Sequence, residues 1–261
     1  MKTEFETDRR GLIGGALGAL ITVAAPEAVA APDANPKTTI RKAQPPRGSF
    51  GIVQPGIKRT AFLNAPAGMS PAAFRDRWID TYASGLRTHA QSIIFNLIDH
   101  ENSPTKRFDA ATEMFFESDW AYERAYLGGR TACSEEAEQT KPSLVIVGRQ
   151  VGVREFDPGR PMPAVKRFGV VRRKPELTAD DVAPKWRDSH APLFAANAYL
   201  RRYYIHLTDR TYAPEVPWDG YAEIWWDDLA STKLRSDPRV PEPESYNSEV
   251  MYMFMTPTVV I

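Results

Sequence analysis

The feature that most constrains this chain is that much of its sequence is written twice. Ile57-Lys58-Arg59 returns as Val165-Lys166-Arg167 and Trp78 returns as Trp186, both 108 residues later. Phe108 to Phe116 is echoed by Trp218 to Trp226 at an offset of 110, the slip falling in a loop, where insertions cost little. Two blocks in one order and nearly one register predict a duplicated structural unit, so each element must be read in both copies.

Each copy reads alike. A β run at Ile57 to Leu63 or Val165 to Arg172 precedes a helix. Ser70 caps the first helix with Pro71 behind it, and Thr178 with Asp181 makes a capping-box-like start to the second. Phe74, Trp78 and Tyr82 stand at steps of four, as do Val182, Trp186 and His190, so each trio forms one inward stripe. Pro184 should bend or loosen the second helix. Strands follow at Ser92 to Asp99 and Leu200 to Thr208, then around Glu113 and Glu223. A further helix (about 118–128 and 228–236), a loop and a last strand (Leu144 to Val153, Val250 to Val260) complete each copy. That β-α-β-β-α-β order predicts an α+β fold: two tandem ferredoxin-like units packing sheet to sheet as an intrachain α+β barrel. The units run over 53–155 and 165–261, with a Pro- and Gly-bearing linker at 156–164.

The ends and the composition narrow the function classes. Arg9-Arg10, a glycine-interrupted apolar run and Ala28-Val29-Ala30 predict a twin-arginine-like export signal over residues 1–30, hence a periplasmic or secreted protein. Residues 31–52 are a Pro-rich leader. No later segment is apolar enough to span a bilayer. Lys plus Arg and Asp plus Glu both count 33, which argues against a nucleic-acid-coating protein. One cysteine, Cys133, and four histidines leave little material for a metal site, and none is expected; Cys133 has no assigned role.

Lys166-Arg167-Phe168-Gly169-Val170-Val171, Trp186-Arg187-Asp188-Ser189-His190-Ala191-Pro192-Leu193 and Asp219-Gly220-Tyr221-Ala222-Glu223-Ile224-Trp225-Trp226 resemble an EthD-type domain of the dimeric α+β barrel superfamily. The resemblance spans about 160–256 and reaches 53–155 only through the repeat, where Thr81-Tyr82-Ala83 stands in place of the His-x-Pro. It implies small-molecule chemistry that often needs no cofactor: lyase, dehydratase, cyclase or isomerase reactions on aromatic or oxygenated ring compounds. Haem is the alternative cofactor, with His190 or His206 as axial ligand. It also implies a monomer with a pseudo-dimeric barrel, or a homodimer.

His190 is the leading candidate for a general acid–base. Pro192 places it near a helix C-terminus, where the macrodipole favours the imidazolium and burial the neutral ring. Its other reading is a histidine satisfying the last carbonyls of its own helix. Glu223, mid-strand among apolar neighbours, is either an acid–base group or half of an ion pair with the repeated lysines and arginines, as is Glu113. Arg202, Tyr204, His206 and Thr208 share one strand face; Tyr204 or His206 could donate to an oxyanion. Trp186, Arg202, Trp225 and Tyr82 are the candidate substrate contacts, although an aromatic stripe is more often core. The leading expectation is a cofactor-independent enzyme using His190. A haem binder and a non-catalytic hydrophobic-ligand binder are the alternatives.

Overall fold

The computed structural model describes residues 53–128, 132–234 and 246–261. The signal and leader expected over 1–52 lie outside the described residues, as does part of the helix expected at 228–236.

The strands are β1 (Ile57–Leu63), β2 (Ser92–Ile98), β3 (Ala110–Phe116), β4 (Leu144–Arg154), β5 (Val165–Arg173), β6 (Leu200–Thr208), β7 (Gly220–Trp226) and β8 (Asn247–Val259). They form one closed ring, β1-β3-β2-β8-β5-β7-β6-β4, with β4 returning to β1. Every pairing is antiparallel. This overturns the expectation of two ferredoxin-like units packed sheet to sheet. The edges meet, not the faces: β2 hydrogen-bonds to β8 and β4 to β6. A four-stranded sheet with both edges unpaired would leave backbone donors and acceptors without partners, and closing the ring pairs those edges. An eight-stranded barrel is also just wide enough for its own side chains to fill it.

β1 and β7 are buried along their whole length, because both of their faces are covered. The inner face holds Phe62, Ile98, Phe108, Phe168, Tyr221, Met251, Met253 and Met255. Outside, α1 (Pro71–Trp78), α2 (Ser84–Leu86), α3 (Asp119–Tyr126) and α4 (Ala132–Thr140) cover the wall of β1–β4, with Phe74, Trp78, Phe95 and Met114 between. On the opposite wall α5 (Ala179–Pro184), the stretch Lys185–His190 and α6 (Ala191–Ala195) lay Val182, Trp186 and Ala191 on a cluster with Val171, Tyr203 and Ile224.

Two helix expectations need correcting. The loop expected before β4 contains α4, whose face buries Cys133 and Glu136 on a polar background and so carries no apolar period. The helix expected at 228–236 is reduced, within the described residues, to a single 3-10 turn, Ser231–Lys233. Among the described residues no helix is long and apolar enough to cross a membrane.

Candidate active site

The cleft that holds His190 is built by an interrupted helix. The Thr178 hydroxyl accepts from the Asp181 N–H to cap α5, and the Asp181 carboxylate accepts from the Thr178 N–H at 2.8 Å. α5 ends at Pro184, and the chain continues as a π-helical stretch, Lys185–His190, before α6. The same widening occurs at Ile79–Ala83 in the other half, where Asp76 stands in place of the proline, so it belongs to the repeated unit and not to Pro184. Pro192 does not end the helix as expected. It occupies the first turn of α6, where its missing donor is not needed, and the helix runs on to Ala195. His190 is therefore mid-helix, and the argument from a C-terminal dipole does not apply to it.

Trp186 is fully buried and donates from Nε1 to Tyr203 Oη at 3.1 Å. One turn on, the half-buried His190 ring lies parallel to Phe194 (centroids 6.2 Å, 10°) and edge-on to Tyr246 (5.4 Å, 81°). It borders a cavity of about 60 Å³ that opens to solvent, floored by Arg167, Tyr203 and Ile224 and walled by Phe194, Tyr246 and Tyr252. Among the described residues no hydrogen-bond partner meets either imidazole nitrogen. Burial pushes the His190 pKa below 6.5, so the ring is neutral at pH 7 with its lone pair available. A neutral imidazole in an aromatic cleft can accept a proton from a bound molecule and return it.

The other expected site residues point elsewhere. Side chains alternate along β6, so Arg202, Tyr204 and His206 do share a face, but that face is the barrel lumen. Tyr203, on the opposite face, is the one that reaches the cleft. In the lumen Lys58 bridges Glu113 and Glu223 (2.9 Å to Glu223), while Lys166 pairs with Glu113 and lies 3.7 Å from Glu223. All four side chains are buried, and their charges balance. Glu223 also meets His206 Nε2 at 3.1 Å and accepts from Trp225 Nε1 at 2.9 Å. Burial would raise the Glu223 carboxyl, but Lys166 and Lys58 hold it well below its ordinary range. His206 is driven the other way, down to about 4, by burial and by Lys58. A charged carboxylate beside a neutral imidazole fixes the tautomer: Nε2–H donates to Glu223. Of the two readings left for Glu223, the geometry carries the ion pair.

Arg202 stacks on Tyr204 (4.1 Å) and Phe156 (4.7 Å), and Tyr204 Oη donates to Glu155. Tyr82 sits at the His190 position of the other half and donates to Gln139 at 3.3 Å; it lies on the far wall and takes no part in the cleft. Trp225 belongs to the lumen. The site thus gathers His190 and Trp186 from the expected set and adds Arg167, Tyr203, Phe194 and Tyr246. Tyr203 could have been found, since the β6 face opposite the polar one must meet the helix stripe. Tyr246, in a loop before β8, carries no such signal.

The His190 cleft as folded is small for a haem. The cleft as folded has about 60 Å³, against the 300 Å³ or more of sites that enclose drug-sized ligands. His206 is sealed in the lumen with Nε2 engaged. Among the described residues no group of three or more His, Cys, Asp or Glu is placed to hold a metal ion.

No protein-family model and no curated protein matches the chain. Solved structures do, at the level of fold. An anthrone oxidase-like protein is 9% identical with a TM-score of 0.51, over 79% of this chain and 94% of that one. A provisionally assigned monooxygenase from Lactobacillus acidophilus NCFM is 10% identical (TM-score 0.47, 78% and 95%). Chlorite dismutase from Candidatus Nitrospira defluvii, as its R173A mutant, is 8% identical (TM-score 0.42, 77% and 91%). The likeness to the first of them is one of fold alone.

Proposed function

We propose that the chain is a small-molecule enzyme that moves a proton on an oxygenated ring compound with His190 as its acid–base, in an isomerase- or lyase-type reaction. One observation carries this: a half-buried imidazole, neutral at pH 7, with neither nitrogen bonded to a described residue, faces a cleft whose walls are aromatic. The kinship in fold with an anthrone oxidase-like protein is consistent with a ring-sized ligand but selects no reaction. His190 takes a proton from carbon beside a carbonyl, the electron pair passes to the carbonyl oxygen, and the imidazolium then returns the proton to carbon or to a leaving hydroxyl.

The simplest test is hydrogen–deuterium exchange at the acidic carbon of 2-tetralone in D₂O, followed by NMR. The folded protein should exchange it faster than buffer, and His190→Ala, checked by circular dichroism, should return the rate to the buffer level. Exchange that survives in His190→Ala would remove His190 from the chemistry.

A further inference from the structure

Two arginines occupy equivalent positions in the ring. Arg59 on β1 stands opposite Met114 of β3, and Arg167 on β5 stands opposite Ile224 of β7. Both leave the outer wall beneath the helices, beside the equivalent tryptophans Trp78 and Trp186. Their partners differ. Arg59 faces the carboxylate of Glu136, delivered by α4, at 3.6 Å. That carboxylate is fully buried and also accepts from Trp78 Nε1 at 3.3 Å. The first half of the molecule therefore carries its own anion in the space between the helix and the sheet.

Among the described residues, the second half has the guanidinium without the anion. Arg167 lies against Trp226 (4.7 Å), Tyr252 (4.6 Å) and Phe254 (5.9 Å), and its Nε is buried with no acceptor. Among the described residues no carboxylate pairs with it, and no Asp or Glu lines the cleft it floors. Aromatic faces offset only part of the cost of burying the Nε side of that cation. Burial pulls both guanidinium groups down; Tyr126 and Glu136 more than reverse this at Arg59, whereas at Arg167 the net direction stays downward. Trp186 Nε1, lacking a carboxylate, turns to Tyr203 Oη, whose own proton is then free to be donated. Where Glu136 lies between Arg59 and Trp78, the described residues around Arg167 and Trp186 leave a cleft open to solvent.

We infer that this cleft takes an anionic ligand, a small aromatic carboxylate, whose charged oxygens sit on Arg167 where the Glu136 side chain sits on Arg59. The ring of the ligand lies among Phe194, Tyr246 and Tyr252, and the carboxylate receives the Arg167 guanidinium and the Tyr203 hydroxyl. This rests on the His190 cleft being a ligand site, and it names what that site recognises; it does not depend on proton transfer.

The probe is 2-naphthoate against its uncharged counterpart 2-naphthamide, titrated by ligand-observed NMR. The unaltered protein should prefer the carboxylate at least tenfold, a comparison that needs no variant. Arg167→Met should bring the two affinities to within about twofold of each other, chiefly by weakening naphthoate, and Arg167→Lys should restore part of the preference. Equal binding of the two probes by the unaltered protein, or a preference that persists in folded Arg167→Met, would overturn the inference. The two readings fail separately. Deuterium exchange dependent on His190 without carboxylate preference leaves only the acid–base reading. Carboxylate preference dependent on Arg167 without exchange leaves only the recognition reading.

Discussion

His206 should make the protein lose stability in mild acid by a calculable amount. In the unfolded chain its imidazole takes up a proton as the pH falls through about 6.5, whereas in the barrel it stays neutral down to about 4. Across that window the unfolded state binds the proton and the native state does not, so stability falls as the pH falls. At about 1.4 kcal/mol per pH unit the full cost is about 3.5 kcal/mol, of which about 2.4 kcal/mol is lost between pH 7 and pH 4.5. Other groups titrate in the same range, so the comparison must be with a variant. In His206→Gln the side-chain amide can still donate to Glu223 and does not titrate. Urea unfolding of both proteins at pH 7 and pH 4.5 should show the unaltered protein losing about 2.4 kcal/mol more than the variant. Equal losses would mean that the buried imidazole is already accommodated as a cation, and the account of the lumen would be wrong.

Two further outcomes follow from the lumen and the ring. Lys58→Met leaves Glu113 and Glu223 sharing only Lys166 and should cost about 3–5 kcal/mol, while Lys58→Met with Glu113→Gln removes one charge of each sign and should cost less than the single change; denaturant titrations giving the plain sum of the two single losses would refute the charge-balance argument. Gly148 lies on the β4–β6 seam, where a Cβ would come within 1.7 Å of the Leu207 carbonyl oxygen, so Gly148→Ala should cost about 3 kcal/mol or fail to fold, and a melting curve within a degree or two of the parent would contradict that contact.

What the sequence made legible was local. β1 matches the expected Ile57 to Leu63 residue for residue, and β2, β4 and β6 differ by a residue at most, because β-branched and aromatic runs bounded by turn residues identify strands without reference to partners. The pairing of edges was not legible. β2 and β8 carry no mark of each other, and an open sheet and a closed ring have the same alternation along each strand. The same limit governed the site. The period of two placed Arg202, Tyr204 and His206 together correctly, but it could not say whether that face looked into the barrel or toward His190. Arg167 was visible as half of a repeated Lys-Arg pair. Only the presence of Glu136 beside Arg59, on a helix that polar residues concealed, makes its lack of a partner informative.

The ring also sets the order in which the molecule can assemble. β8 hydrogen-bonds to β5 along most of its length and to β2 near its end, so residues near 96 must wait for residues near 257. Pairings so remote in sequence are entropically costly to nucleate and slow the search for the native state. Until that late strand is seated, both β2 and β5 present bare backbone to any neighbouring chain, and the interval before closure is when this protein is most exposed to self-association.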